Sequence, residues 1–257
     1  MTVLRGMRVP RPVLLAMLAL ATCNWSCGLS VAVHYANGVS LSQKGRYDEA
    51  LDEFNKALEA NPKSALSYYQ RGFVYSNKGL QDLAIADYTR ALATNVTTLA
   101  INGFLHLAYY NRGVSYYVSG EIDPAIADFT KAMEIKPDFA EAHYNRGHAY
   151  FSKGQYDEAI SDYTKALEIN PSIALAYTNR GAAYGRKGQY DQAISNHTKA
   201  LEIDPRLALA YNNRAVDYYF LKNYDKAWDD VRKAQELGFK INAEFLKNLR
   251  QASGREK

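Results

Sequence analysis

The sequence AEAHYNRGHAYFSKGQYDEAISDYTKALEINPSI occupies residues 140–173 and recurs in modified form along most of the chain. Its tetrapeptide YNRG is present unchanged at residues 110–113 and 144–147, with TNRG at 178–181 and NNRA at 212–215. A catalytic loop is normally present once. A tetrapeptide that recurs at a fixed interval therefore indicates a repeated architecture or a binding surface built in multiples.

The glycine of this tetrapeptide sets the period of the whole chain. Its six positions are Gly38, Gly72, Gly113, Gly147, Gly181 and Ala215, and the interval between them is constant except for a longer one from Gly72 to Gly113. Gly147 is followed by Asp157, Ala159 and Ala166, and the same three residue types recur at the same offsets in the other five repeats. Acidic residues favour the first turn of a helix, and small residues suit helix crossings. Each period is thus expected to form two amphipathic helices.

This pattern resembles the tetratricopeptide repeat (TPR) family, whose characteristic period is the constant interval found here. The resemblance covers about residues 31–241 and implies an all-α superhelical solenoid of antiparallel helix pairs. The expected repeats are 31–64, 65–98, 106–139, 140–173, 174–207 and 208–241. Asn242 is a good N-cap residue, so residues 242–257 are expected to form a C-terminal capping helix and tail.

Residues 99–105 are a seven-residue insertion between the second and third repeats. Seven residues make about two helical turns. The insertion therefore predicts either a longer first helix in the third repeat or a short extra helix before it. Its apolar residues, Leu99, Ile101, Phe104 and Leu105, fit local packing, and an exposed docking site is the alternative.

Residues 1–27 resemble a leader followed by a short linker. Arg5, Arg8 and Arg11 precede an apolar run and an A-x-A arrangement at Ala19 and Ala21, which is the layout of a secretory signal peptide. Three of the four net positive charges lie here, so the net charge indicates no nucleic-acid partner. An uncleaved membrane anchor is the alternative, since no Lys, Arg, Asp or Glu occurs from residue 12 to 43.

The two cysteines, Cys23 and Cys27, lie directly after the apolar run. Leu20-Ala21-Thr22-Cys23 resembles a bacterial lipoprotein cleavage box, in which the cysteine is lipidated, although Thr22 departs from the usual small residue. A local disulfide is the alternative. The protein is therefore expected to be exported, and periplasmic or associated with the outer membrane or cell envelope if bacterial.

No catalytic or cofactor motif accompanies the repeats in the sequence. It contains no P-loop, dinucleotide-binding glycine motif, H-E-x-x-H or G-x-S-x-G. The histidines form no metal-ligand pattern, and His34, His143 and His197 occupy positions that other repeats fill with aromatic residues. We therefore expect that the chain is not an enzyme and that it binds neither a cofactor nor a metal.

One amide residue recurs on the first helix of most repeats, directly before the repeated arginine. These residues are Gln70, Asn111, Asn145, Asn179 and Asn213. In the TPR family, the first helices line a concave face on which peptides lie. An amide both donates and accepts hydrogen bonds, so the row is a candidate for pairing with an extended peptide backbone. A purely architectural role, with solvated Asn and Arg packed by its stem, is the alternative.

Tyr69, Tyr110, Tyr144 and His148 add aromatic character to the same predicted groove. The expected function is therefore a scaffold or adaptor that binds extended segments of other proteins at the cell envelope. Two alternatives are a cytosolic or membrane-anchored TPR adaptor and an accessory subunit of a glycan-related enzyme.

Overall fold

The computed structural model describes the backbone of residues 25–255 and side chains from residue 29 onward. Most of the predicted leader, including Cys23, lies outside the described residues, as does the end of the predicted tail at 256–257. The described chain consists of α-helices and short connections, and it divides into two compact units at residue 136.

The first unit contains the helices of the first three expected repeats and one short additional helix. They are α1 (Trp25–Gln43), α2 (Tyr47–Ala60), α3 (Ala65–Asn77), α4 (Gln81–Thr94), α5 (Val96–Ile101), α6 (Leu105–Val118) and α7 (Ile122–Ile135). The pairs α1–α2, α3–α4 and α6–α7 each pack together, and α2 packs on α3 as α4 packs on α6. The unit is thus a stack of three helix pairs.

The second unit repeats this arrangement and adds a terminal helix. Its helices are α8 (Ala140–Ser152), α9 (Tyr156–Ile169), α10 (Ala174–Arg186), α11 (Tyr190–Ile203), α12 (Ala208–Phe220), α13 (Tyr224–Glu236) and α14 (Ala243–Ser253). The pairs are α8–α9, α10–α11 and α12–α13, and α14 packs on α13. The predicted all-α architecture of successive helix pairs is confirmed.

The terminal helix α14 closes the apolar end of the second unit. Asn242 accepts hydrogen bonds from the backbone N–H groups of Glu244 and Phe245 at 2.9 and 3.1 Å, which confirms the predicted N-cap. Leu249 is fully buried in the cluster around Val231. The capping helix thus covers apolar surface that the last pair would otherwise expose.

A short separate helix, α5 (Val96–Ile101), overlaps the start of the insertion and precedes α6, which was the second of the two predicted alternatives. Asn95 caps it by accepting a bond from the backbone N–H of Thr98 at 2.9 Å. Leu99 and Phe104 are buried among residues of α3, α4 and α6. Ile101 is 78% exposed. Most of the apolar surface of the insertion is therefore used for local packing.

The repeated glycine lets the two helices of a pair approach closely. A Cβ atom added to Gly113 would lie 2.9 Å from Cε1 of Phe129, which is buried in α7. In five repeats the residue at the position of Phe129 carries an aromatic ring or an imidazole. These residues are Phe54, Tyr88, Phe129, Tyr163 and His197. In the sixth repeat Ala215 replaces the glycine and Val231 replaces the ring. The methyl group gained on one helix is thus offset by a smaller side chain on the other.

The repeated arginine clamps the helix pairs together. In four repeats its Nε and Nη2 donate to both carboxylate oxygens of an aspartate on the second helix, at 2.7 and 2.8 Å. These pairs are Arg71–Asp87, Arg112–Asp128, Arg146–Asp162 and Arg214–Asp230. In the fifth repeat Arg180 donates to Asn196 instead, at 2.8 Å.

Within each unit, arginines of this set also bond to the preceding repeat. Nη1 of Arg112 donates to Oγ1 of Thr89 on α4 at 3.0 Å, and Nη1 of Arg214 donates to Thr198 on α11 at 2.9 Å. Each of these guanidinium groups therefore joins three helices. The sequence-based interpretation, in which only the arginine stem packed on a neighbour, missed this network.

We predict that Gly113→Ala lowers the free energy of unfolding by about 1–3 kcal/mol, although alanine favours helix, because the methyl group overpacks the contact with Phe129. Gly113→Ala combined with Phe129→Val should show favourable coupling, because it reproduces the Ala215–Val231 pair. Urea denaturation followed by circular dichroism, applied as a double-mutant cycle, measures this coupling. Purely additive effects would contradict the explanation.

We predict that Arg112→Met lowers the free energy of unfolding by about 3 kcal/mol, because it leaves the buried Asp128 carboxylate without its cation. Asp128→Asn should cost only about 1 kcal/mol, because an Arg–Asn bond replaces the ion pair, as at Arg180–Asn196. Urea denaturation of both variants tests this order. An Asp128→Asn variant as unstable as Arg112→Met would contradict it.

Candidate functional site

The structure places every predicted groove residue on the first helix of a repeat. In the first unit Tyr69 and Gln70 lie on α3, and Tyr110 and Asn111 lie on α6. In the second unit Tyr144, Asn145 and His148 lie on α8, Asn179 lies on α10, and Asn213 lies on α12. Their surroundings differ between the two units.

In the first unit the amides are buried in contacts between repeats. Nδ2 of Asn111 donates to the hydroxyl of Tyr69 at 3.1 Å, and both residues are buried. Gln70 is also buried, and it bonds to the side chain of Tyr35. Burial raises the pKa of Tyr35 to about 12, with the Gln70 bond opposing the rise, so its hydroxyl stays protonated. These amides help to hold one repeat to the next.

In the second unit the amide row is more accessible. Nδ2 of Asn179 donates to the hydroxyl of Tyr144 at 3.0 Å, but Asn179 is only half-buried. Asn213 is half-buried as well, and its Oδ1 accepts from Asn212 at 3.1 Å. Thr178 stands in the fifth repeat where the fourth has Tyr144, so no tyrosine of the preceding repeat reaches Asn213 there. The amide of Asn213 thus faces a more open surface.

A cavity of about 460 Å³ lies between α8, α10 and α12, and we call it the second-unit cavity. Three predicted site residues, His148, Asn179 and Asn213, line it. Phe151, Tyr190 and Phe220 supply aromatic walls, and Ala182 and Val216 supply aliphatic surface. The structure therefore brings together the predicted residues of the fourth, fifth and sixth repeats.

The aromatic walls are ordered by ring contacts. The rings of Tyr190 and Phe220 stack with centroids 4.9 Å apart and an interplanar angle of 8°. The imidazole of His148 lies parallel to the ring of Tyr144 at a centroid distance of 6.4 Å. Burial lowers the pKa of His148, so its imidazole is neutral at pH 7 and can donate one hydrogen bond and accept another.

His197 and Asp217 also line the second-unit cavity, and the sequence analysis did not assign them to a site. His197 is fully buried, as its predicted packing role requires, but its Nε2 lies 3.2 Å from Oδ2 of Asp217. Asp217 stands where α8 and α10 have the buried residues Ala149 and Ala183. That departure from the repeat pattern was the available signal in the sequence.

A second cavity, of about 400 Å³, lies beside α1 and α2 in the first unit. Two of its charged residues, Glu53 and Lys56, pair with each other. Glu53 accepts from Lys56 at 2.7 Å and lies 2.8 Å from Nδ1 of His34. The Lys56 and His34 bonds, against an opposing effect of desolvation, lower the pKa of Glu53 to about 2. Because Glu53 is already compensated and no predicted site residue lines this cavity, it is the weaker candidate.

The described residues contain neither a cluster of metal ligands nor a helix that could span a membrane. Between residues 25 and 255 no three His, Cys, Asp or Glu side chains converge as metal ligands. No helix in that range has both the length and the apolar character of a membrane span.

Models of the tetratricopeptide repeat match much of the chain. One model described as tetratricopeptide repeat matches residues 140–173 and 174–207, and another with the same description matches residues 65–95. A model described as TPR repeat matches residues 38–79 and 113–154. No protein with a curated description matches this chain.

Solved structures agree with these matches. A crystal structure of MamA is 30% identical over 66% of this chain and 96% of its own, with a TM-score of 0.61. YrrB, described as a TPR protein with an unusual peptide-binding site, is 26% identical over 69% of this chain and 88% of its own, with a TM-score of 0.60. A TPR protein from Parabacteroides merdae is 24% identical over 88% of this chain and 85% of its own, with a TM-score of 0.67. Together with the repeated helix pairs, these matches establish that the chain belongs to the tetratricopeptide repeat family.

Proposed function

We propose that this protein is a non-enzymatic scaffold that binds an extended segment of another protein in the second-unit cavity. The observation that carries the proposal is the convergence of amide, imidazole and aromatic side chains from α8, α10 and α12 on one concave surface. Membership of a family whose repeats serve protein–protein interaction supports a protein as the ligand.

The chemistry of the second-unit cavity suits an extended backbone. A peptide that is not folded on itself presents unpaired N–H and C=O groups along its length. The half-buried amides of Asn179 and Asn213 could bond to these groups, and His148 adds a further polar contact. The aromatic walls offer contact area for apolar side chains of the ligand.

The second unit is the better candidate because its amides are more accessible. In the first unit Gln70 and Asn111 are buried and engaged with tyrosines. Because both are buried, a ligand could reach them only by displacing contacts between repeats, whereas the half-buried Asn179 keeps accessible surface despite its bond to Tyr144. We therefore assign the predicted groove residues Tyr69, Gln70 and Asn111 a mainly structural role within the proposal, and Asn179, Asn213 and His148 a binding role.

We predict that Val216→Arg abolishes peptide binding without unfolding the protein. Val216 is half-buried and lines the second-unit cavity, so a long charged side chain there would fill the space that the ligand needs. The matched control is Ser195→Arg, which adds the same charge at an exposed position on α11. Peptides selected from a random displayed library on the purified protein are measured against both variants by fluorescence anisotropy.

Loss of binding in Val216→Arg alone, with unchanged circular dichroism and melting temperature, is the expected result. Equal binding to the wild type and to both variants would exclude the second-unit cavity as the binding surface. Failure of the library to yield any peptide would count against the proposed function as a whole.

We also propose that the protein is exported and held at the cell envelope through a lipid on Cys23. The support is the sequence pattern of basic residues, apolar run and Leu20-Ala21-Thr22-Cys23. A cytosolic or membrane-anchored adaptor with an uncleaved leader, and an accessory subunit of a glycan-related enzyme, remain the alternatives.

We predict that the intact mass of the protein from its native cells corresponds to a chain that begins at Cys23 and carries acyl groups. Cys23→Ala should remove the acyl mass and release the protein from the membrane fraction, whereas Cys27→Ala should not. A chain that begins at Met1 would support the anchored or cytosolic alternative.

A further inference from the structure

Three departures from the repeat pattern meet at the floor of the second-unit cavity. Gly185 stands on α10 where α8 has Phe151, and His197 stands on α11 where α9 has Tyr163. Asp217 stands on α12 where α10 has Ala183. All three residues line the cavity, and we call them its floor, which carries the imidazole of His197 and the carboxylate of Asp217.

The carboxylate of Asp217 is buried and incompletely satisfied. Asp217 is 5% exposed, and His197 is 0% exposed. Oδ2 of Asp217 lies 3.2 Å from Nε2 of His197, but the two groups are not oriented to form a hydrogen bond. Within the described chain, neither Oδ2 of Asp217 nor either ring nitrogen of His197 makes one. The contact with His197 therefore leaves hydrogen-bond acceptor capacity on this carboxylate.

Gly185 provides the space that this carboxylate occupies. A Cβ atom added to Gly185 would lie 2.8 Å from Oδ1 of Asp217, which is closer than such atoms approach. Gly185 lies near the end of α10 with helical backbone, where glycine weakens the helix relative to alanine. The absence of a side chain at Gly185 thus leaves room for the Asp217 carboxylate, and the helical backbone shows that no turn requires glycine here.

A buried carboxylate that lacks a full set of hydrogen-bond donors is unfavourable in the unliganded protein. Burial raises the pKa of Asp217, and His197 opposes this rise. The raised pKa reflects the free-energy cost of a buried negative charge on Asp217. Removing a charge from water costs free energy unless donors or a cation compensate for it. Ala183 at the equivalent position of α10 shows that the fold does not require a carboxylate there.

The walls above this floor suit a flat cation. The stacked pair of Tyr190 and Phe220, together with Phe151, presents aromatic surface to the second-unit cavity. A guanidinium group stacks on such rings and donates hydrogen bonds from its edge. The protein also contributes a positive charge to the lining of the cavity, from Arg186, which is exposed at the end of α10. An acidic ligand side chain at Arg186 is the competing possibility.

We infer that the floor of the second-unit cavity is a subsite for a basic side chain of the bound segment, arginine in preference to lysine, with Asp217 accepting its N–H groups. This inference rests on the proposed function and specifies the partner: a segment with a basic residue beside positions that pair with Asn179 and Asn213. Gly185 and His197 position the carboxylate.

The test begins with random twelve-residue peptides displayed on phage and selected on the purified full chain. Peptides that lose binding to Val216→Arg define the cavity-dependent set. That set is expected to be enriched in arginine at one position. A cavity-dependent set without such enrichment, or one enriched in Asp or Glu, would overturn the subsite and leave the proposed function intact. An empty set would reject both.

The second step compares one selected arginine peptide with its citrulline analogue, which has nearly the same shape but no charge. Citrulline should weaken binding to the wild type by about 10- to 100-fold, as expected for loss of a charged hydrogen bond. Asp217→Asn should bind both peptides with similar affinity. Asp191→Asn, which removes an exposed charge from α11, is the control and should keep the wild-type preference.

Folding is controlled independently. Asp217→Asn should melt at or above the wild-type temperature, because it removes a buried charge. Gly185→Ala provides a second variant, since its methyl group displaces the same carboxylate, and it too should lose the preference for arginine. Retention of the preference in both variants would show that Asp217 does not bind the cation.

Discussion

The close contact between a helix backbone and a buried ring is the constraint on which the repeat depends. At Gly113 the contact with Phe129 leaves no room for a methyl group. The exchange to Ala215 and Val231 in the sixth repeat shows that the contact preserves volume and not a particular residue type. Because the helices of a pair approach so closely, the arginine of the same tetrapeptide can reach across the pair. Its guanidinium then joins both helices to the preceding repeat, as Arg112 does with Asp128 and Thr89.

This architecture explains why the proposed binding surface lies where the repeat pattern changes. In the first unit the amide and tyrosine side chains satisfy one another, as Asn111 and Tyr69 do, and the surface is largely closed. In the second unit the replacement of tyrosine by Thr178 leaves Asn213 more open, and Asp217 introduces a charge where alanine would serve packing. Departures from a repeat that weaken packing or bury a charge are the positions at which a ligand is expected to contribute.

Much of the fold could be predicted from the sequence, but the candidate site could be predicted only in part. The period, the helix pairs and the Asn242 cap follow from spacing, propensity and capping chemistry, which are local properties. The amide row was placed correctly on the first helices. Its accessibility could not be predicted, because burial of Asn111 depends on Tyr69 in the preceding repeat. The Arg–Asp pairs of four repeats also recur at a constant spacing, and they were overlooked because each pair crosses between two helices.

The sequence by itself determined that the described chain folds as successive helix pairs with a capping helix, because a constant period with glycine, alanine and aspartate at set positions is compatible with little else. It also determined that the amide row lies on the first helices of the pairs. Only the tertiary structure decided which amides remain accessible and that Gly185, His197 and Asp217 meet in one cavity. These residues lie on three different helices, and their distances depend on how neighbouring pairs pack.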